Sequence, residues 1–120
     1  MTKTVQRKIH EIDAAGKAVG RVASEAVTIL RGKHRPDFAP NRDLGDAVTV
    51  LNAATVKFTG RKLVQKDYYH HTMYRGGLTR TPMKHVFEKD PAEPLRRAIY
   101  GMLPKNSFRR EMMKRLVIKP

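Results

Sequence analysis

Apolar residues in this chain change their spacing as the sequence runs, and the changes mark out elements. From Gly20 to Arg31, the residues Val22, Ala23, Ala26, Val27, Ile29 and Leu30 recur at three- and four-residue intervals. Arg21, Ser24, Glu25, Thr28 and Arg31 occupy the opposite positions. This predicts an amphipathic helix, closed by Gly32 as a left-handed C-cap. Before it, Ile9-His10-Glu11-Ile12 reads as a short strand, turned by Asp13-Ala14-Ala15-Gly16. After it, residues 33–45 hold two prolines and show no period, so they read as a basic loop.

Ala47-Val48-Thr49-Val50-Leu51 is a nearly continuous, β-branched run, which suits a strand covered on both faces. Thr55-Val56-Lys57-Phe58-Thr59 alternates and predicts another strand, stopped by Gly60. Strand, helix, strand in this order is a β-α-β unit with a right-handed crossover. Asp67 to His71 reads as a further short extended piece. Thr81 and Pro82 predict an N-cap and first residue of a helix reaching about Glu88. Asp90-Pro91-Ala92-Glu93 has capping-box spacing for the next helix, whose buried stripe is Leu95, Ala98, Ile99 and Met102. Ser107 is expected to cap a last helix through Arg115, packed by Met112, before a strand at Leu116-Val117-Ile118. The expected class is α/β, with residues 1–120 as a single domain.

Composition narrows the function. A chain of 120 residues and 13.7 kDa keeps roughly 6,600 Å² accessible when folded, enough burial for one core. Twenty-five Lys and Arg against eleven Asp and Glu leave a net charge of +14. Residues 1–60 hold ten basic and six acidic groups, and residues 61–120 hold fifteen and five. The excess therefore lies in the second half, at Arg61, Lys62, Lys66, Arg75, Arg80, Lys84, Lys105, Arg109, Arg110, Lys114, Arg115 and Lys119, in segments that read largely as loops. Such a chain repels itself unless a polyanion neutralises it. No run approaches 18 apolar residues, so no membrane span is expected. The first nine residues show no apolar segment of the secretory kind. With no cysteine, disulfides, thiolate metal sites and cysteine nucleophiles are ruled out.

Candidate motifs are few. Gly16-Lys17-Ala18-Val19-Gly20-Arg21 lies where a phosphate loop would, but its spacing matches neither the Walker loop nor the dinucleotide fingerprint. Turn formation is the better reading, although N–H groups at that helix start are able to hold an RNA phosphate. His70 and His71 are neighbours on an extended segment and point to opposite faces, so they do not share a metal ion, and no metal site is expected. Tyr68, Tyr69, His70 and His71 lie between Arg61–Lys66 and Met73–Arg80, so the rings are placed to stack on unpaired RNA bases while the cations meet phosphates. Gly76-Gly77 would let the backbone lie close to a phosphate. Ser24 and Ser107 lack the context of a nucleophile. No active site and no cofactor is expected.

One ordered set of residues goes further: Asp13-Ala14, Gly16, Gly20-Arg21 with Ala23, Leu30-Arg31-Gly32-Lys33-His34, Gly45-Asp46, Val50-Leu51-Asn52-Ala53, Thr59-Gly60, Tyr68-Tyr69-His70-His71-Thr72, Gly76-Gly77 and Gly101-Met102-Leu103-Pro104. In this order and spacing, over nearly the whole length, the chain resembles the family of bacterial large-subunit ribosomal protein thirteen. The resemblance implies a three-layer α/β/α fold around a mainly parallel four-stranded sheet, with basic loops and C-terminal helices. It implies a cytoplasmic, non-enzymatic component of the large subunit that binds ribosomal RNA and joins early in assembly. Neighbouring large-subunit proteins are expected partners; a membrane and a small-molecule substrate are not. The chain departs from the family pattern at Arg7-Lys8-Ile9-His10, where Trp-Tyr is usual, at Tyr100 and Arg109, and after Lys119-Pro120, where the usual tail does not follow. The expected RNA contacts are Lys33, His34, Arg35, Arg61, Lys62, Tyr69, His70, His71, Arg75, Lys105, Arg109, Arg110 and Lys114. Two rivals are a nucleotide-using enzyme on the β-α-β frame and a free-standing RNA-binding regulator or chaperone.

Overall fold

The computed structural model describes residues 6–120. Strand β1 (Ile9–Asp13) leads through a turn into helix α1 (Val19–Arg31), and β2 (Ala47–Leu51) follows the long loop. Then come α2 (Lys62–Gln65), β3 (Asp67–His71), β4 (Leu78–Pro82), α3 (Met83–Lys89), α4 (Glu93–Met102), α5 (Phe108–Lys114) and β5 (Leu116–Ile118). No helix among the described residues is long and apolar enough to cross a membrane.

Helix α1 buries the stripe its sequence announces. Val22, Ala23, Ala26 and Leu30 are buried, Val27 and Ile29 pack partly against the core, and Ser24, Glu25 and Thr28 face solvent. Gly32 closes the helix at φ 83°, its N–H donating to the Ile29 carbonyl while the Lys33 N–H reaches back to Thr28. The core continues through Val48 and Val50 of β2, Leu95 and Ile99 of α4, Leu103 and Met112. Leu95, Ala98 and Ile99 therefore do what their spacing predicts, whereas Met102 is half exposed.

The sheet differs from expectation. Strands β1, β2 and β5 form a parallel sheet in the order β1-β2-β5, three strands rather than four. Strands β3 and β4 form a separate antiparallel hairpin. The strand expected over Thr55–Thr59 reduces to a single bridge between Lys57 and Ala18, after a short 3-10 turn at Ala53–Thr55. The reason is reach. A parallel neighbour of β2 needs a crossover of a dozen or more residues, and residues 52–54 are too few. The C-terminal β5 takes the open edge of β2 instead, pairing Val48 with Leu116 and Val50 with Ile118.

Three caps are also corrected. Thr81 and Pro82 belong to β4, paired with Tyr68 and Asp67, so helix α3 starts one residue later than expected. Asp90 accepts the Ala92 N–H at 3.1 Å, while Glu93 turns along α4 to Arg96 and Arg97 instead of closing a capping box. Ser107 makes no side-chain cap; Asn106 Oδ1 accepts the Phe108 N–H in its place.

The loop from Lys33 to Asp46 is tied down by two carboxylates. Asp43 takes a bidentate pair from Arg115 at 2.7 and 2.8 Å, and Arg115 also donates to the Leu30 carbonyl. Asp46 is 1% exposed. It accepts from the Lys8 N–H, from His10 Nε2 at 2.9 Å, from His34 Nε2 at 2.7 Å and from Arg35. Burial pushes the Asp46 carboxyl up, but the bonds from His10, Lys8, Arg35 and His34 outweigh it and hold the group well below the usual carboxylate range.

Two predictions follow from this packing. A Cβ at Gly45 would overlap the backbone of Leu30, whereas one at Gly20, inside α1, meets nothing. Gly45→Ala should cost at least about 3 kcal/mol in urea denaturation or prevent folding, while Gly20→Ala should stabilise by about 0.5 kcal/mol. Because the folded-state pKa of Asp46 lies below its unfolded value of about 3.9, its contribution is present above that pH and lost as pH falls below it. The urea midpoint should drop on acidification below about pH 4, and Asp46→Asn should make that fall shallower.

Candidate nucleic-acid interface

The hairpin sorts its side chains by strand alternation. Tyr68 is half buried, with the Arg97 guanidinium 4.3 Å and the Lys66 ammonium 5.5 Å from its ring centroid. Burial pushes its hydroxyl above the ordinary phenol range, with Arg97 opposing the shift. Tyr69 points the other way and is 63% exposed. The register pairs Tyr69 with Arg80 and His71 with Leu78, so these four share the outward face. Asp67 lies at the inner end of that face, 3.6 Å from Arg80. His70 is exposed on the opposite face, with Tyr68.

At the tip, Met73 and Tyr74 are 90% and 79% exposed, and Arg75 is exposed beside them. Gly76 adopts φ 69°, and a Cβ at Gly77 would overlap the Thr72 hydroxyl. The two glycines therefore form the turn, closed by the Thr72 N–H on the Gly77 carbonyl. His71 accepts the Met73 N–H through Nδ1, which leaves Nε2 as its outward nitrogen.

The remaining expected contacts fall into separate groups. Arg61 and Lys62 flank a shallow groove with Thr59, Gly60 and Lys66, and both are exposed. Lys62 lies on helix α2, Arg80 on β4 and Lys84 on α3, so the basic excess is less confined to loops than its sequence suggests. Lys105 is exposed before α5. On α5, Arg109 stacks on the Tyr100 ring at 3.9 Å, Arg110 is exposed beside it, and Lys114 lies 3.4 Å from Glu111. Lys33 is exposed after the α1 cap, but His34 and Arg35 turn onto Asp46. Arg115 is likewise withdrawn, its side chain only 13% exposed against Asp43. The Gly16–Gly20 turn uses the N–H groups of Gly16 and Val19 on the Thr55 and Lys57 carbonyls, as turn formation rather than a phosphate loop requires.

Sequence reading included Met73–Arg80 as the basic flank of the rings but did not single out Met73 and Tyr74 at the tip, or Leu78 and Arg80 on the outward face, as contacts. Alternation from Tyr69 points to His71, but Leu78 and Arg80 join only through the antiparallel register.

Comparison with known proteins gives a consistent result. A family model described as Ribosomal protein L13 matches residues 7–118. The large ribosomal subunit protein uL13 of Borrelia duttonii (strain Ly) is 48% identical, with 95% of this chain and 76% of that protein covered. The uL13 of Clostridioides difficile (strain 630) is 49% identical, with 93% and 78% covered. That of Thermobifida fusca (strain YX) is 48% identical, with 95% and 76% covered. With nearly every described residue inside the match, the chain belongs to the ribosomal protein L13 family.

Proposed function

We propose that this chain is a structural constituent of the large ribosomal subunit, binding ribosomal RNA, supporting early subunit assembly and carrying out no reaction. Its place is then the cytoplasmic ribosome, among neighbouring large-subunit proteins. The observation that carries this reading, beside family membership, is the outward hairpin face. Tyr69, Met73, Tyr74 and Leu78 are large, exposed and interleaved with Arg75 and Arg80. Rings and cations so placed suit RNA, whose unpaired bases stack on aromatic groups while phosphates take the charge. The accessible area of 8420 Å² supports it as well. That is about a quarter more than the roughly 6,600 Å² of a free-standing monomer of this mass. The parallel sheet is the middle of three layers on this reading, since Val48 and Val50 are buried on one face and Ala47, Thr49 and Leu51 partly covered on the other.

The contacts we assign are Lys33, Arg61, Lys62, Tyr69, His70, His71, Arg75, Lys105, Arg109, Arg110 and Lys114. His34 and Arg35, held by Asp46, act by positioning the loop. Phosphate contacts fix position, and specificity rests on the shape of the folded RNA.

Sedimentation separates this reading from a free-standing regulator. The chain should travel with large subunits after a moderate-salt wash, and recovery wholly in the soluble fraction would favour the regulator. Replacing Arg109 and Arg110 together by Ala should weaken RNA binding and reduce the slope of log K against log salt by at most about two units. Arg115→Ala strips Asp43 of its bidentate partner and leaves it only Arg7 at 3.6 Å, so it should lower stability by about 3 kcal/mol while the slope stays unchanged. Tyr69→Ala should cost about 1–3 kcal/mol of RNA affinity with that slope also unchanged.

A further inference from the structure

We propose that His10, His34 and Asp46 form a binding site for one divalent transition-metal ion of the zinc class. The three residues come from β1, from the loop after α1 and from the position just before β2, and their ligand atoms lie within 4.8 Å of one another. Two imidazole nitrogens and one carboxylate oxygen, with a position open to water, make a donor set that suits zinc.

The carboxylate is divided for this task. Asp46 Oδ1 is occupied by the Lys8 N–H and Arg35, while Oδ2 receives only the two histidines. The Oδ1 bonds fix the carboxylate plane, and Arg35 is anchored further by the Gln6 carbonyl at 2.6 Å. Oδ2 and both Nε2 atoms converge on one point, with the imidazole rings edge to face at 75°. Because a carboxylate oxygen accepts, each Nε2 is the donor in its hydrogen bond to Oδ2. An ion replaces those two hydrogen bonds, and a neutral imidazole keeps its proton by shifting it to Nδ1.

The fit needs a small adjustment. Ligand atoms about 2.0–2.1 Å from a tetrahedral zinc stand about 3.4 Å apart, against 2.9 and 2.7 Å here. His10 and His34 must move outward by about 0.5 and 0.7 Å, which side chains 34% and 30% exposed at an open recess have room to do. Bound there, the ion clips the start of β1 to the basic loop and to β2.

Zinc chloride and cobalt(II) chloride, titrated into the full chain free of RNA, test this. One equivalent should bind in the micromolar range or tighter, with the intense visible absorption of low-coordinate cobalt(II), and zinc should raise Tm. His10→Gln and His34→Gln keep an N–H donor for Asp46 and should each weaken binding at least about tenfold. His70→Gln and His71→Gln should leave it unchanged. Should a Gln variant fail to fold, ring-nitrogen NMR of the wild type decides: zinc should shift the Nε2 signals of His10 and His34. Absence of one-equivalent binding, full binding in both Gln variants, or shifts confined to His70, His71 or His85 would each overturn the site and leave a hydrogen-bonded latch only.

Discussion

Scarcity of acid in a basic chain is the constraint on which this structure depends. Eleven carboxylates face twenty-five Lys and Arg, so most cations cannot be neutralised internally. Those that are neutralised most completely serve one purpose. Asp43 and Asp46 gather Arg7, His10, His34, Arg35 and Arg115 from three stretches of the chain and pin the long loop across the end of the parallel sheet. A buried carboxylate is costly unless its lone pairs are all used, and at Asp46 four donors use them.

The consequence is a division of the basic residues. The groups beside Asp43 and Asp46 hold the fold, and Arg35 and Arg115 among them are largely withdrawn from solvent. Arg61, Lys62, Arg75, Lys105 and Arg110 stay exposed, and a polyanionic partner would relieve the self-repulsion among them. An excess of charge that weakens the isolated chain thus becomes affinity in a ribonucleoprotein. The hairpin repeats the division within four residues. Tyr68 turns inward between Arg97 and Lys66, and its neighbour Tyr69 turns out. Strand alternation alone separates a packing ring from an exposed one.

Several local patterns were legible. The stripe of α1, its Gly32 cap, the β-branched run of β2 and the extended Tyr68–His71 segment all depend on residues within a few positions of one another, and each forms as its spacing requires. The family was legible too, since short motifs in a fixed order survive without knowledge of any contact. Cap details were less so: Thr81 and Pro82 have the chemistry of a helix start, but pairing with Tyr68 and Asp67 draws them into a strand.

By itself, then, the sequence determined the class of fold, the helix faces, the surplus of charge and the kind of partner that surplus demands. The tertiary structure alone decided that the sheet has three strands, because β5 reaches back 68 positions to take the edge of β2 that Thr55–Thr59 is too close to reach. It alone decided which cations are free and which are held, and it alone brought His10, His34 and Asp46 to one point. Periodicity is written in neighbours, whereas pairing partners are chosen by geometry across distances over which the sequence carries no spacing signal.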